Sequence, residues 1–425
     1  MSHDLTAPGA ALPRADAPMA ASSAATPSAG VPTSPRAAPT EGHALFVILA
    51  LALGGFAIGT SEFASMALVP YYSAAFGVTE AAASDVISAY ALGVVVGAPV
   101  LVVLGASVAK RWLLICFMTA FAVFNALSAL APSYDLLVAA RFLSGLPHGA
   151  YFGVAALVAA RQVPANRRSS AVAKVMLGLT FATIIGVPFA NVLGQTVGWR
   201  AAYGVVTLIA LATAAAVFMT VPAGRMTKVS SPLTELGALA NRQVLLTLAT
   251  GAIGFGGMFA VYTYIASTMI TDMALPETLV PVALAVIGTG MTVGAILSGW
   301  AADRAQTLAG YVILIGATAA MLVYPFAAAS LPTYLLVVFA VGATGGLSTV
   351  LQTRLMDVAG DAQQLAAAMN HSAFNMANAL GPWAASMAIT AGYSFADASG
   401  YVGAGLCVLG LIVFTITVLD ARRPR

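Results

Sequence analysis

Twelve long apolar stretches, parted by short polar breaks, organise this chain. They run over residues 44–70, 83–107, 112–132, 136–160, 171–197, 200–221, 243–270, 279–301, 308–329, 333–353, 366–391 and 400–419. A helix needs roughly 20 predominantly apolar residues to cross a bilayer, and each stretch is long enough. The pattern predicts an all-α polytopic membrane protein with twelve spans. The fifth and eleventh stretches also contain Gly, Pro and Asn, which membrane helices tolerate when neighbours satisfy the freed backbone groups. Residues 1–42 break the pattern. They hold seven prolines among many Ala and Ser, with no apolar run before Ala44. They lack the basic start and central apolar stretch of a signal peptide, and a disordered tail is expected, with a regulatory role as the alternative.

Composition agrees. The 425 residues are 60% hydrophobic and 8% charged, against about 25% charged in a soluble domain. Lipid must be the solvent for most of the chain. The net charge of +3 is too small to suggest a nucleic-acid partner. Cys116 and Cys407 both lie in apolar runs and read as small hydrophobes, not as a disulfide or metal site; no cofactor is expected. Basic residues fall in alternate loops. One set holds Lys110, Arg111, Arg161, Arg167, Arg168, Arg225, Lys228, Arg242, Arg304 and Arg354. The other holds Glu80, Asp85, Asp135, Asp272, Glu277 and Asp397, with Arg200 as its one base. Positive charge stays on the cytoplasmic side. Both termini are therefore expected in the cytoplasm, with the chain in a bacterial plasma membrane.

The loop over 223–241 divides the spans six and six. The expected organisation is a tail over 1–42, a bundle over 43–222, a cytosolic linker over 223–241, a second bundle over 242–420 and a tail over 421–425. Each half echoes the other: "APSYDLLV" at 131–138 matches "LPTYLLVV" at 331–338, and Gly105 with Lys110 has the spacing of Gly299 with Arg304. Such repeats mark secondary transporters, whose halves rock about a central site.

Full charges inside the spans are few. Glu62 and Arg141 stand out, each costing about 2.5–3.5 kcal/mol at the centre of an isolated helix. Glu62 lies about 12 Å, and Arg141 about 9 Å, from the outer ends of their helices at 1.5 Å per residue. A direct or water-bridged pair fits that geometry. Loss of water disfavours an ionised acid and a nearby guanidinium favours it, so a change in their separation would couple proton affinity to conformation. The alternative is a static brace between two helices. His148, two turns from Arg141, reads as a proton relay or as a hydrogen-bonded packing residue. The eleventh span offers Asn370, His371, Asn375 and Asn378; the last two share a face and either bind substrate or join helices. Asn125, Asn191 and Gln352 are more isolated candidates. Phe255, Phe259, Tyr262 and Tyr264 either line a cavity or pack.

Five segments carry a family resemblance: "GTSEF" (59–63), "RFLSGLPHGAYFG" (141–153), "GVPFANVLGQTVGWR" (186–200), "GWAADR" (299–304) and "FNMANALG" (374–381). Together they resemble the major facilitator superfamily, and within it the drug:proton antiporters and sugar- and drug-efflux permeases. The resemblance implies two six-helix bundles. It makes the first-span acid a proton or substrate site and links the Arg of R-x-x-x-G to proton coupling. Taken with the readings above, proton coupling is assigned to Glu62, Arg141 and His148, and substrate contact to Glu62, His371, Asn375 and Asn378. Gly178, Gly186, Pro188 and Gly194 match the antiporter motif, although Gln195 stands where a second glycine is usual. The gate pattern G-x-x-x-D-R survives as Gly299, Asp303 and Arg304. In the first half Lys110 and Arg111 remain, but Ala109 replaces the aspartate, and helix-end carbonyls or anionic lipid are the expected anchors.

The expected function is proton-coupled efflux of a small organic molecule by a monomer in lipid. A proton-coupled importer is the alternative. A membrane-embedded enzyme is disfavoured, because no H-E-x-x-H, G-x-S-x-G or clustered Asp/His set is present. A receptor or scaffold would not need polar groups at the centre of both halves.

Overall fold

A computed structural model of the chain describes residues 41–105, 108–164, 167–223, 241–359 and 363–422. The expected tail over 1–42 and linker over 223–241 lie almost wholly outside the described residues, as do Arg225 and Lys228. Among the described residues every regular element is a helix. Several helices open on a side chain that accepts a hydrogen bond from the first turn: Thr79 from Ala82, Ser133 from Leu136, Asn241 from Gln243 and Ser394 from Asp397. These caps satisfy amides that lipid could not.

Among the described residues, ten helical stretches are long and apolar enough to cross a membrane. One of them, Glu277–Ala327, is 51 residues long and contains the eighth and ninth predicted spans. They part at Ala305, where φ −155° and ψ 69° break the helix just after Arg304. The eleventh span is the helix Gln363–Thr390, which carries the Asn and His residues and is not among the ten. The polypeptide is a multi-pass membrane protein with the twelve spans that its pattern predicts.

Packing repeats between the halves. The second span (Asp85–Leu104) packs on the fourth (Tyr134–Ala160) as the eighth does on the tenth. The third (Lys110–Leu130) packs on the sixth (Trp199–Thr220) as the ninth does on the twelfth (Phe395–Ala421). The first (Glu41–Ala67) lies against the fifth as the seventh lies against the eleventh. The two halves meet where the second span touches the eleventh and the fifth touches the eighth. Large apolar side chains such as Phe46, Leu130, Met219 and Phe326 are exposed, while Ser61, Asn125, Asn191 and Asn378 are buried. That distribution suits a body whose outer solvent is hydrocarbon.

The fifth span is built in three pieces: Arg168–Phe181, a π turn over Ala182–Gly186, and Val187–Thr196. Pro188 explains the middle one. It has no amide hydrogen for the carbonyl of Ile184, and a wider turn relieves the clash its ring would make there. The antiporter-motif glycines face the first span. A Cβ on Gly178 would lie 2.0 Å from the carbonyl oxygen of Ala52, one on Gly186 2.2 Å from Thr60 Oγ1, and one on Gly194 2.5 Å from Leu68 Cδ2. Small residues allow two helix backbones to touch in lipid, where van der Waals packing is a principal source of association.

Gly178→Ala should therefore destabilise the protein by about 1–3 kcal/mol, the usual cost of overpacking, because the obstructing atom is backbone. Gly204→Ala, with nothing within 4 Å of the added methyl, should leave stability nearly unchanged. Thermal unfolding of the two variants in detergent checks the difference; equal midpoints would remove the packing role of Gly178.

Candidate functional site

The first span places Ser61 and Glu62 on opposite jobs. Ser61 turns toward its own bundle and Glu62 toward the other. Glu62 is 2% exposed, and its Oε1 accepts a 3.1 Å hydrogen bond from Asn378 Nδ2 on the eleventh span. Phe63, the next residue, stacks on Tyr262 of the seventh span at 5.5 Å. The acid therefore faces the junction between the bundles and not lipid.

Arg141 is fully buried, and its partners are not carboxylates. Its Nη1 donates to Ser61 Oγ (2.8 Å), Ser144 Oγ (3.2 Å) and Asn125 Oδ1 (3.3 Å), and its Nη2 donates to the Ser61 carbonyl (3.1 Å). The rings of Tyr90 and Tyr203 cover it at 4.3 and 5.0 Å, which is cation–π distance. The direct Glu62–Arg141 ion pair that their matching depths allow does not form. Adjacent residues of one helix point to different faces, so equal depth does not bring their partners together. Arg141 ties the first, third and fourth spans.

His148 bonds Tyr90 Oη through Nδ1 at 3.0 Å. Phe152, one turn on, lies 5.3 Å from the His148 ring and stacks almost parallel on His371 of the opposite half at 5.7 Å. Asn375 Nδ2 returns to the His371 carbonyl at 3.0 Å. Three buried polar atoms on residues around this centre have no protein partner: Asn375 Oδ1, Asn378 Oδ1 and Tyr262 Oη. Buried polar atoms are ordinarily satisfied, so these three leave unused hydrogen-bonding capacity at the bundle junction. Phe255 and Phe259 pack on Phe374, and Tyr264 Oη reaches the Pro382 carbonyl at 3.5 Å. Of the four candidate aromatics, Tyr262 alone keeps a free polar end.

At the acidic end of the molecule the halves are joined by side chains that the sequence did not single out. Glu277 Oε2 accepts from Tyr71 Oη at 3.2 Å, and the Glu277 carbonyl accepts from Gln195 Nε2 at 2.8 Å. Gln195 also donates to Asn191 Oδ1 (2.8 Å), and Asn191 to the Ala67 carbonyl (2.9 Å). Ser267 donates to Glu80 across the same divide. Gln195, the departure from the motif, is thus a cross-bundle bond. Its signal in the sequence was that very mismatch.

The gate residues at the basic end stay within their own halves. Arg111 donates to the carbonyl of Phe218, near the end of the sixth span, and lies 4.6 Å from that ring; a helix-end carbonyl is the anchor expected in place of the missing aspartate. Lys110 opens the third span behind Ala109, which supplies no side-chain cap. In the second half Asp303 is exposed, and it makes no hydrogen bond or ion pair among the described residues. Arg304 instead bonds the Trp300 carbonyl at 2.9 Å and covers that ring at 4.0 Å, while Gly299 has only Thr349 nearby. The basic end of this half is held by a chain missed in the sequence. Arg354 Nη2 donates to Gln243 Oε1 (3.3 Å), Gln243 Nε2 to Asp420 Oδ2 (2.7 Å), and Asp420 pairs with Arg242 at 3.4 Å.

Two halves with matching packing, a buried acid at their junction and partnerless polar atoms around it define a membrane carrier. The family model described as Major Facilitator Superfamily matches residues 51–382, and the chain belongs to that superfamily; it is a transporter and not an enzyme. It is 39% identical to the inner membrane transport protein YdhP of Escherichia coli (strain K12), over 86% of this chain and 94% of that one. It is 35% identical to a chloramphenicol resistance protein of Streptomyces lividans, covering 84% and 92%, and 27% identical to a probable sugar efflux transporter of Haemophilus influenzae (strain PittGG), covering 88% and 94%.

Gln195→Ala removes one of the bonds that close the acidic end. Spin labels at Ala75 and Thr278 in a cysteine-free background should then show a larger population of long distances than in the parent. An unchanged distribution would deny Gln195 a part in holding that end shut.

Proposed function

We propose that the chain is a proton-coupled exporter of a small organic solute, in which Glu62 exchanges a proton for the solute. The observation that carries this reading is the placement of Glu62: buried on the first bundle, yet bonded to Asn378 of the second. A group shared by two bundles changes its surroundings whenever they move apart. Intramembrane acids in such positions mark ion and substrate pathways. The bundles over 43–222 and 242–420 rock as two bodies. The bonds of Tyr71, Gln195 and Glu80 break when the acidic end opens.

In this reading Arg141 keeps a fixed positive charge near Glu62, so an ionised carboxylate is tolerated while the path is open to water. When the acid is protonated the solute loses a partner and leaves. His148 adjusts the proton route through Tyr90, and His371 and Asn375 contact the solute beside Asn378. Lys110, Arg111, Asp303 and Arg304 meet lipid or loops at the basic end as the bundles close. That end faces the cytoplasm, together with both termini, by the distribution of charge in the loops. The membrane is the bacterial inner membrane, as the name of the Escherichia coli relative suggests. Export is favoured over import by the antiporter-motif glycines and by relatives named for resistance and sugar efflux, and chloramphenicol is the first solute to try. The working unit is a monomer.

The test uses purified protein in liposomes with a pH-sensitive dye trapped inside. Under an imposed proton gradient, chloramphenicol and a panel of sugars are added in turn. An accepted solute should move against the direction of the protons, and Glu62→Gln should reduce that movement to background while keeping protein level and melting point. Solute and protons moving in the same direction would make the chain an importer. Uphill transport by Glu62→Gln would overturn the assignment of the acid.

A further inference from the structure

Asn378 is fully buried, and only half of its amide is used. Its Nδ2 donates to Glu62 Oε1 at 3.1 Å, while its Oδ1 has no partner. Three residues earlier on the same helix face, Asn375 shows the same asymmetry, with Nδ2 bonded to a carbonyl and Oδ1 unmatched. The arrangement suits an ionised Glu62. A carboxylate only accepts hydrogen bonds, so the amide must offer its N–H and turn its oxygen away. A protonated Glu62 carries an O–H that needs an acceptor. The other groups near the acid are worse placed to accept it. Arg141 is donor-only and already bound to Ser61, Asn125 and Ser144. Tyr90 is engaged with His148. The Tyr262 hydroxyl has no bond of its own but remains a donor as well as an acceptor. Asn378 is already bonded to Glu62, and its amide oxygen is a buried acceptor with no partner.

We propose that Asn378 is a positioning residue that translates the proton state of Glu62 into the hydrogen-bonding pattern offered to the solute. With Glu62 ionised, the amide gives its N–H to the acid and presents its oxygen, beside that of Asn375, to a solute N–H or O–H. With Glu62 protonated, the amide rotates about its last bond, its oxygen accepts a hydrogen bond from the acid O–H and its N–H faces the solute instead. The site changes from acceptor to donor with no movement of backbone. A site built for one pattern rejects the other, because a buried donor facing a donor leaves both unmatched. A neutral solute with N–H or O–H donors is thereby exchanged for a proton without carrying any charge. The proton comes from water and returns to it, and no covalent bond to the solute is made.

This inference rests on the titration of Glu62 proposed above, and one experiment separates the two. Infrared difference spectra are recorded between acid and alkaline samples of the lipid-embedded protein, with asparagine side chains carrying carbon-13. The Glu62 carboxyl band is identified by its loss in Glu62→Gln. In the parent, an asparagine carbonyl band should shift with the same midpoint as the Glu62 band. That shift should be lost in Asn378→Leu and in the near-isosteric Asn378→Asp, while the Glu62 band persists in both. A Glu62 band that titrates with no Asn378-dependent shift would overturn the role of Asn378 and leave the exchange reading standing. If Glu62 shows no carboxyl band at any pH, both fall. The Asp variant keeps the measurement available if Leu does not fold.

Discussion

Hydrocarbon offers a polar group nothing to bond with, and that constraint sorts every buried donor and acceptor in this protein. Some are matched and hold the bundles together: Arg141 with Ser61, Asn125 and Ser144, or Asn191 with the Ala67 carbonyl. Others are left unmatched at the junction of the two halves, where Asn375, Asn378 and Tyr262 each keep a free polar atom. The first kind is rigid, since breaking any bond strands its partner in a low-dielectric interior. The second kind leaves hydrogen-bonding capacity unused where the halves meet. Glu62 belongs to both, because its bond to Asn378 satisfies the acid and also spans the gap between bundles.

Close helix contact makes this sorting possible. The first and fifth spans meet through Gly178, Gly186 and Gly194, and the π turn before Pro188 keeps those glycines on one face. The first span is thereby seated firmly from behind, and its Glu62 face is free to meet the other half. The joints between halves at the acidic end are individual side-chain bonds of Tyr71, Gln195 and Ser267, each worth little compared with a packed helix face. Firm interiors with weak joints are what two bodies need if they are to move as units.

Much of this was legible in the sequence, and the reasons are physical. Spans announce themselves because lipid demands about twenty apolar residues in a row; the break at Ala305 showed as the polar gap after Arg304. Glu62, Arg141, His148, His371 and Asn378 were visible because charged and amide groups are costly in hydrocarbon and therefore rare. Their pairing was not visible. Depth along a helix can be counted from the chain, but rotation about its axis depends on which neighbours it meets, so Glu62 and Arg141 lie at matching depth yet make no direct bond. The cross-bundle bonds of Glu277 and Glu80 escaped notice for a different reason: an acid in a loop looks like any other solvated residue. Asp303 and Arg304 show the converse, since a motif present in sequence is not joined into a latch here.

Arg141 has one more consequence. It is a cation set inside the insulating layer, and in the proposed cycle the nearby charge that balances it, Glu62, comes and goes with a proton. Once Glu62 is neutral, the centre of the molecule carries an uncompensated positive charge across which the membrane voltage drops. Moving one such charge through the full field is worth about 2.3 kcal/mol per 100 mV; shifting it by a tenth of the thickness is worth about 0.2 kcal/mol. In that proposed cycle the electrical gradient biases the protonated half, so voltage and acidity press on the same step through two neighbouring side chains.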